Sequence, residues 1–282
     1  MKPEVMKMKH LRHVLVLLAA LVLAIPCGID ARAASEELSE YFTDRDLEGT
    51  WDEKSAVEIT LNGSSAASDS KNVLIDGTTV TISGSGVYVL SGTLENGTVI
   101  IVAGNEDKVQ LVLKGVSITS STDAAIRVEN ANKAFITLAD GTENTLSNTT
   151  GFTGNADAVI WSRDDLAING AGALTVSSAH DGIEGNDDLK IASGTITVTA
   201  GNHAIDGSDS LRIAGGTLNI TAGKDGLRAS NAEDAGKGYL IIFDGDITVN
   251  AGDDGIQAAG DLMIEGGRIH VSHSAESAKG HF

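Results

Sequence analysis

The stretch DGIEGNDDLKIASGTITVTAGNHAIDGSDSLRIAGGTLNITAGKDGL, residues 181–227, decides the fold. Asp181-Gly-Ile, His203-Ala-Ile and Asp225-Gly-Leu open units 22 residues apart, and Asp254-Gly-Ile follows after 29, the same unit enlarged by seven residues. Within the units two apolar alternations flank a Gly turn: Leu189/Ile191 then Ile196/Val198, Leu211/Ile213 then Leu218/Ile220, Leu262/Ile264 then Ile269/Val271. Alternation with period two marks a strand with one buried face. Three short strands closing in about 22 residues make one coil of a parallel β-helix, an all-β solenoid. Like positions then stack coil over coil, and the aliphatic pairs become continuous inward rows. Helical repeat arrays have longer units and a 3.6-residue period, and a β-sandwich would not demand a constant repeat.

Away from this stretch the pattern loosens. Asp157-Ala-Val and Asp123-Ala-Ala-Ile are weaker unit openings, and KVQLVLKGVSIT (108–119) and NVLIDGTTVTISGSGVYVL (72–90) are strands punctuated by turn residues. Residues 34–70 show little periodicity and read as an N-terminal cap and lead-in, with the β-helix over 71–282. The last unit runs into VSHSAESAKGHF, where Glu276 takes the expected Asp position and the chain stops at Phe282, so a truncated end or a cap supplied by a partner is expected.

Residues 1–33 read as a signal peptide. Lys2, Lys7, Lys9 and Arg12 precede an apolar run from Val14 to Ile25, too short to span a bilayer, and Ala31-Arg32-Ala33 fits a cleavage site. Pro26 before Cys27 argues against lipid anchoring. The expectation is therefore a secreted protein, extracellular or at the cell surface, with no membrane insertion. The single cysteine and both prolines fall in the leader, so the mature fold has no disulfide and no proline to interrupt its ladders. Removing the leader takes away five basic and two acidic residues and moves the net charge from −19 to −22. Such a balance argues against nucleic acid and anionic membrane surfaces as partners and favours divalent cations or cationic partners.

The repeat turns single acidic residues into columns. Asp181, Asp225 and Asp254, with Asp253 beside the last, share one position interrupted by His203; Asp187, Asp209 and Asn231 share another six residues on. Coils stack about 4.8 Å apart, and carboxylates at that spacing repel unless a cation or solvent intervenes. Hard oxygen ligands suit Ca²⁺ rather than Zn²⁺. The insert Asn231–Gly238 adds Glu233 and Asp234 to the same region. The competing reading is that these Asx side chains only hydrogen-bond turns.

His180 and His203 lack Cys partners and HExxH spacing, so they read as turn histidines. A nucleophile motif and a phosphate loop are both missing. Arg163, Arg212, Arg228 and Lys190 are basic groups available to an acidic glycan, although each also fits a surface ion pair. Trp51 and Trp161 are the only tryptophans; Trp161, Arg163 and Arg228 are the candidate carbohydrate contacts.

The runs DAVIWSRDDLAINGAGALTVSSAHDGIEGNDDLKIASGTITVTAG and KDGLRASNAEDAGKGYLIIFDGDITVNAGDDGIQAAGDLMIEGG, with DDL, DGI and NxEDxxKGY in order, resemble a secreted bacterial carbohydrate-binding domain family. That family is a right-handed parallel β-helix related to polysaccharide lyases. The resemblance implies a Ca²⁺-binding exoprotein that binds plant cell-wall polysaccharide such as cellulose or acidic pectin, non-catalytic, with a pectate-type lyase or a surface adhesin as alternatives. It assigns the cation to Asp181, Asp187, Asp209, Asp225 and Asp254 and to the loop Asn231, Glu233 and Asp234. His203 departs from the pattern in one coil.

Overall fold

The computed structural model describes residues 38–153 and 156–273. The expected signal peptide, the two residues 154 and 155, and the tail with Glu276 lie outside them. Residues 42–282 form one compact unit, distinct from residues 1–41, of which 38–41 are helical.

The repeat resolves into three walls. The first stacks Lys133–Leu138, Leu166–Gly170, Asp188–Ile191, Ser210–Ile213, Tyr239–Ile242 and Leu262–Ile264, all parallel. Glu143–Asn148, Ala173–Ser178, Thr195–Ala200, Thr217–Ala222, Asp246–Ala251 and Arg268–His273 stack as the second. The long strand Lys108–Thr119 belongs to both, pairing through its first half with Lys133–Leu138 and through its end with Glu143–Asn148. The third wall is a separate sheet that includes Thr98–Val102, Ile126–Asn130, Ala158–Ser162, Asp181–Gly185, Ile205–Gly207, Leu227–Ala229 and Ile256–Ala258. The fold is thus an all-β solenoid with long parallel sheets, as the period requires.

Every wall contributes its apolar positions to one core. Ile160, Ile183, Ile205 and Leu227 stack in register and are fully buried, as are Leu189/Ile191, Ile196/Val198 and Leu211/Ile213. At the last coil the rows meet no further coil among the described residues, and Leu262, Ile264 and Val271 are each about half exposed. The opposite end is closed by Val57–Gly63, paired with Ala66–Ala67, and by the antiparallel ribbon Val73–Asp76 with Thr79–Ile82.

The glycines of the repeat have two separate causes. At the corner between the first and second walls Gly170, Gly194 and Gly216 have φ of +99°, +107° and +101°, a region other residues rarely adopt. In the Asp-Gly-Ile turn the cause is space, since a Cβ on Gly182 would sit 2.4 Å from Val198 Cγ1 and 2.5 Å from the Ala204 carbonyl. Gly182→Ala is accordingly expected to cost about 1–3 kcal/mol through overpacking, read as a lower denaturant midpoint with an unchanged slope.

One part of the lead-in runs along the outside of the first wall rather than over an end. Asp44–Leu47 is a short helix with a Thr43/Asp46 capping box. It lays the Asp46 carboxylate, 0% exposed, between Lys133 Nζ at 2.7 Å and Lys190 Nζ at 3.1 Å. Asn169 Nδ2 donates to the carbonyls of Arg45, Asp46 and Glu48, and the Arg45 guanidinium covers Phe135. Lys190 is therefore spent on holding this strap and is not a surface contact for a glycan.

Candidate functional site

On the third wall, residues that point away from the core form a row across the coils. The register aligns Arg127, Trp161, Glu184, Asp206, Arg228 and Gln257, one per strand. Beside this row runs the turn column of Asp181, His203, Asp225 and Asp254. The earlier unit is offset: Ala158, and not Asp157, faces Asp181. Even so, carboxylate oxygens of Asp157, Asp181 and Glu184 all lie within 4.8 Å of one another.

Three acidic groups this close, partly removed from water, cannot all be charged cheaply. Burial first, then a shared hydrogen bond with Asp157 and the charges of Asp157, Asp181 and Asp206, push the Glu184 carboxyl up to about 8. Burial also raises Asp206 to about 6 despite the opposing Arg228 charge, and raises Asp181 although His203 opposes it. Two buried oxygens of this group, Glu184 Oε2 and Asp206 Oδ1, have no hydrogen-bond partner in the protein. Unpaired buried oxygens are costly, and a cation is one kind of partner that such an oxygen takes.

The turn column also has work of its own. Asp181 Oδ1 accepts the His203 N–H at 2.9 Å, and Asp225 Oδ1 accepts the Asp254 N–H at 3.0 Å, so each carboxylate caps the following coil. The turn these carboxylates serve is the next one, not their own. His203 interrupts the column as part of a polar network. Its Nε2 lies 3.0 Å from Arg228 Nη1 and, because guanidinium has no acceptor, accepts from it; its Nδ1 lies 3.0 Å from Asp225 Oδ2 and 3.4 Å from the Asp225 backbone nitrogen. Burial and the Arg228 charge lower the His203 pKa, which keeps the ring neutral. Asp225, Asp253 and Asp254 form a second group of carboxylates within 4.8 Å, with the latter two exposed.

The other column is arranged differently. Lys237 Nζ, from the insert, lies 2.7 Å from Asp209 Oδ2 and 3.5 Å from Asp234 Oδ2. Asn231 donates to Asp209 at 2.7 Å and accepts the N–H groups of Glu233 and Asp234. Burial and a hydrogen bond shared with Asp209 raise Asp187 to about 6. An ammonium thus already stands between Asp209 and Asp234, and the insert that seemed to add cation ligands supplies a cation of its own.

Of the expected glycan contacts, Arg228 belongs to the site, with Nη1 3.4 Å from Asp206 Oδ2 and Nε 3.0 Å from Gln257 Oε1. Arg163 is exposed and pairs with Glu129 at 3.3 Å. Trp161 is 6% exposed, packed against Ala124, Ala156 and Ala158, and offers no stacking platform. Arg212 is held by Asp188 at 2.7 Å and by Tyr239 on the first wall. Sequence reasoning missed Glu184 and Asp206, and overlooked Asp157 as a ligand. Their signal was present: Glu184, Asp206, Arg228 and Gln257 recur at 22, 22 and 29 residues, the period of the turns themselves.

Comparisons with known proteins agree with this architecture. A solved polysaccharide lyase-like protein from C. thermocellum, a gadolinium derivative, superposes with a TM-score of 0.69 at 33% identity, over 78% of this chain and 97% of that one. A carbohydrate-binding domain-containing protein of Acetivibrio thermocellus is 39% identical over 119 residues, 40% of this chain; the match spans 42% of that relative's length. The model of the carbohydrate-binding domain-containing protein family matches residues 76–281, nearly three quarters of the sequence. With its stacked parallel walls and acidic row, the chain belongs to that carbohydrate-binding family.

Proposed function

We propose that this protein is a secreted, non-catalytic module that binds acidic cell-wall polysaccharide through Ca²⁺ held on its third wall, on a coil of right-handed sense. Export rests on the leader pattern of residues 1–33. The handedness rests on the strong right-handed preference of crossovers between parallel strands. The observation that carries the cation is the pair of unpartnered buried oxygens, Glu184 Oε2 and Asp206 Oδ1, beside the Asp157/Asp181/Glu184 cluster. These residues offer the oxygen donors that Ca²⁺ prefers. The solved relative was obtained as a gadolinium derivative, and Gd³⁺ is likewise a hard cation. A cation held at the surface by carboxylates keeps coordination positions for a sugar carboxylate, and Arg228 and Gln257 stand beside it as donors. Asp225, Asp253 and Asp254 offer a second, more exposed position.

Titration of the full chain with polygalacturonate, with and without Ca²⁺, tests the reading: binding should require the ion, and binding unchanged by EDTA would refute it. Because Glu184 and Asp206 must lose protons to take the ion, Ca²⁺ affinity is expected to rise between pH 6 and 8, by about tenfold per pH unit where one proton leaves per ion. Calorimetry in buffers of different ionisation enthalpy reads that proton release, and an affinity independent of pH would count against these ligands.

A pectate-type lyase is the second reading, favoured by the Arg228 guanidinium at the edge of the carboxylate cluster. It predicts the ultraviolet absorbance of an unsaturated product, lost on Arg228→Ala. With Arg228 paired to Asp206 and Asp225, no such absorbance is expected.

A further inference from the structure

The two ends of the solenoid differ. The first is closed by Val57–Gly63 with Ala66–Ala67 and by the antiparallel ribbon Val73–Asp76 with Thr79–Ile82. At the other end Ile256–Ala258, Leu262–Ile264 and Arg268–His273 are the outermost strands of their walls among the described residues, each bonded to the preceding coil on one side only. Their inward positions continue the core rows. Leu262 and Ile264 stand over Leu240 and Ile242, and Ile269 and Val271 over Ile247 and Val249, and all four supporting residues are fully buried. Yet Leu262, Ile264 and Val271 are 49%, 48% and 47% exposed. An open strand edge that carries an apolar row is a template for further pairing, and solenoids normally cover it.

The order of residues on this coil says what fits it. Consider a second copy, turned by 180° about an axis that runs through the third wall and across the solenoid. The strand Leu262–Ile264 of each copy then runs antiparallel to Arg268–His273 of the other. Inward residues must face inward in both copies, and this fixes the register. Ile264 falls opposite Ile269, and Leu262 opposite Val271, aliphatic against aliphatic across the strand pair. The same register sets Glu265 opposite Arg268, both exposed. Two-fold symmetry repeats every pair, so one coil is complementary to itself in apolarity and in charge. A copy stacked in line, head to tail, would instead have to seat on the closed end.

We infer that two copies of the chain associate through this end as a closed two-fold dimer, Leu262–Ile264 of each pairing with Arg268–His273 of the other. The inference is independent of the carbohydrate-binding reading and of any cation.

Sedimentation velocity on the full chain over a range of concentrations tests it, in EDTA and at about 0.15 M salt, where the net charge of −19 is screened beyond about 8 Å. The wild type is expected to pass from the mass of one chain to that of two and no further, since the paired ends leave no open edge. Leu262→Lys with Val271→Lys should lose the dimer and still unfold cooperatively, because both side chains are half exposed in the single chain. Glu265→Arg and Arg268→Glu should each weaken association about tenfold or more, by setting like charges face to face twice per dimer. Mixed in equal amounts, these two variants should associate as the wild type does, because each supplies the charge the other lacks. Local damage to the last coil would not produce that recovery. One-chain mass for the wild type at every concentration, species larger than two chains, an undiminished dimer in the folded double lysine variant, or no recovery on mixing would each overturn the inference. Association through residues 1–33 would survive every substitution and so counts among these outcomes.

Discussion

Replacing Glu184 by glutamine is expected to raise the melting temperature of the metal-free protein at pH 8 and, in the same variant, to abolish the rise that Ca²⁺ produces. The two effects share one cause. Burial and the neighbouring carboxylates lift Glu184 to about 8, above its ordinary 4.5, so the folded state holds a proton that the unfolded chain releases. Its contribution to stability is complete below about 4.5 and is lost as the pH rises through about 8. Glutamine keeps the shape and never ionises, so the metal-free variant should match the wild type near pH 5 and exceed it at pH 8. Saturating Ca²⁺, at about a hundred times its Kd, stabilises the folded wild type by about 2.7 kcal/mol. For a domain of this size that corresponds to roughly 5–10 °C in Tm. Thermal unfolding at both pH values, with Ca²⁺ and with EDTA, measures all four states. A variant that keeps the Ca²⁺ response would remove Glu184 from the site.

Asp46→Ala is expected to cost about 3–5 kcal/mol, because it takes away the carboxylate held between the buried ammoniums of Lys133 and Lys190. Lys190 is already disfavoured by burial and by the Lys133 charge, with Asp46 opposing both. For Asp46, burial would raise the carboxyl, but the Lys133 bond, the Thr43 N–H and both lysine charges outweigh it and hold the pKa below the ordinary 3.8. The stability it confers is present above that ordinary value and is lost as the pH falls through the lowered one. Denaturant unfolding at pH 7 and pH 3 should therefore show the wild type losing stability that the variant has already lost. Replacing the triad together, with Asp46→Leu, Lys133→Met and Lys190→Met, should recover most of the deficit, since the cost lies in breaking a buried pair and not in lacking one. If Asp46→Ala alone proves neutral, the strap does not hold the first wall.

Much of the scaffold was legible because solenoid coils repeat one local rule. Leu189/Ile191 and Ile196/Val198 are buried where their alternation required, and Gly194 and Gly216 turn the corners between walls. The site was legible only in part. Asp181 and Asp225 stood out because they open the units, yet part of their role is to cap the next coil. Glu184 and Asp206 were overlooked because an acidic residue in an exposed strand position looks ordinary until its neighbours in other coils are known. Lys237 was passed over since nothing in the order NAEDAGKGY shows that its ammonium reaches Asp209, in the preceding coil.

The sequence by itself determined the period, the inward rows, the turn columns and the excess of negative charge, all properties of residues spaced along one chain. Only the tertiary structure decided which charges meet. Coil stacking brings Asp157, Asp181 and Glu184 within 4.8 Å across 27 residues of chain, folds Asp46 onto Lys190 from 144 residues away, and buries Trp161, a candidate carbohydrate contact. Those outcomes depend on register and on the packing of segments far apart in the chain, which no local pattern encodes.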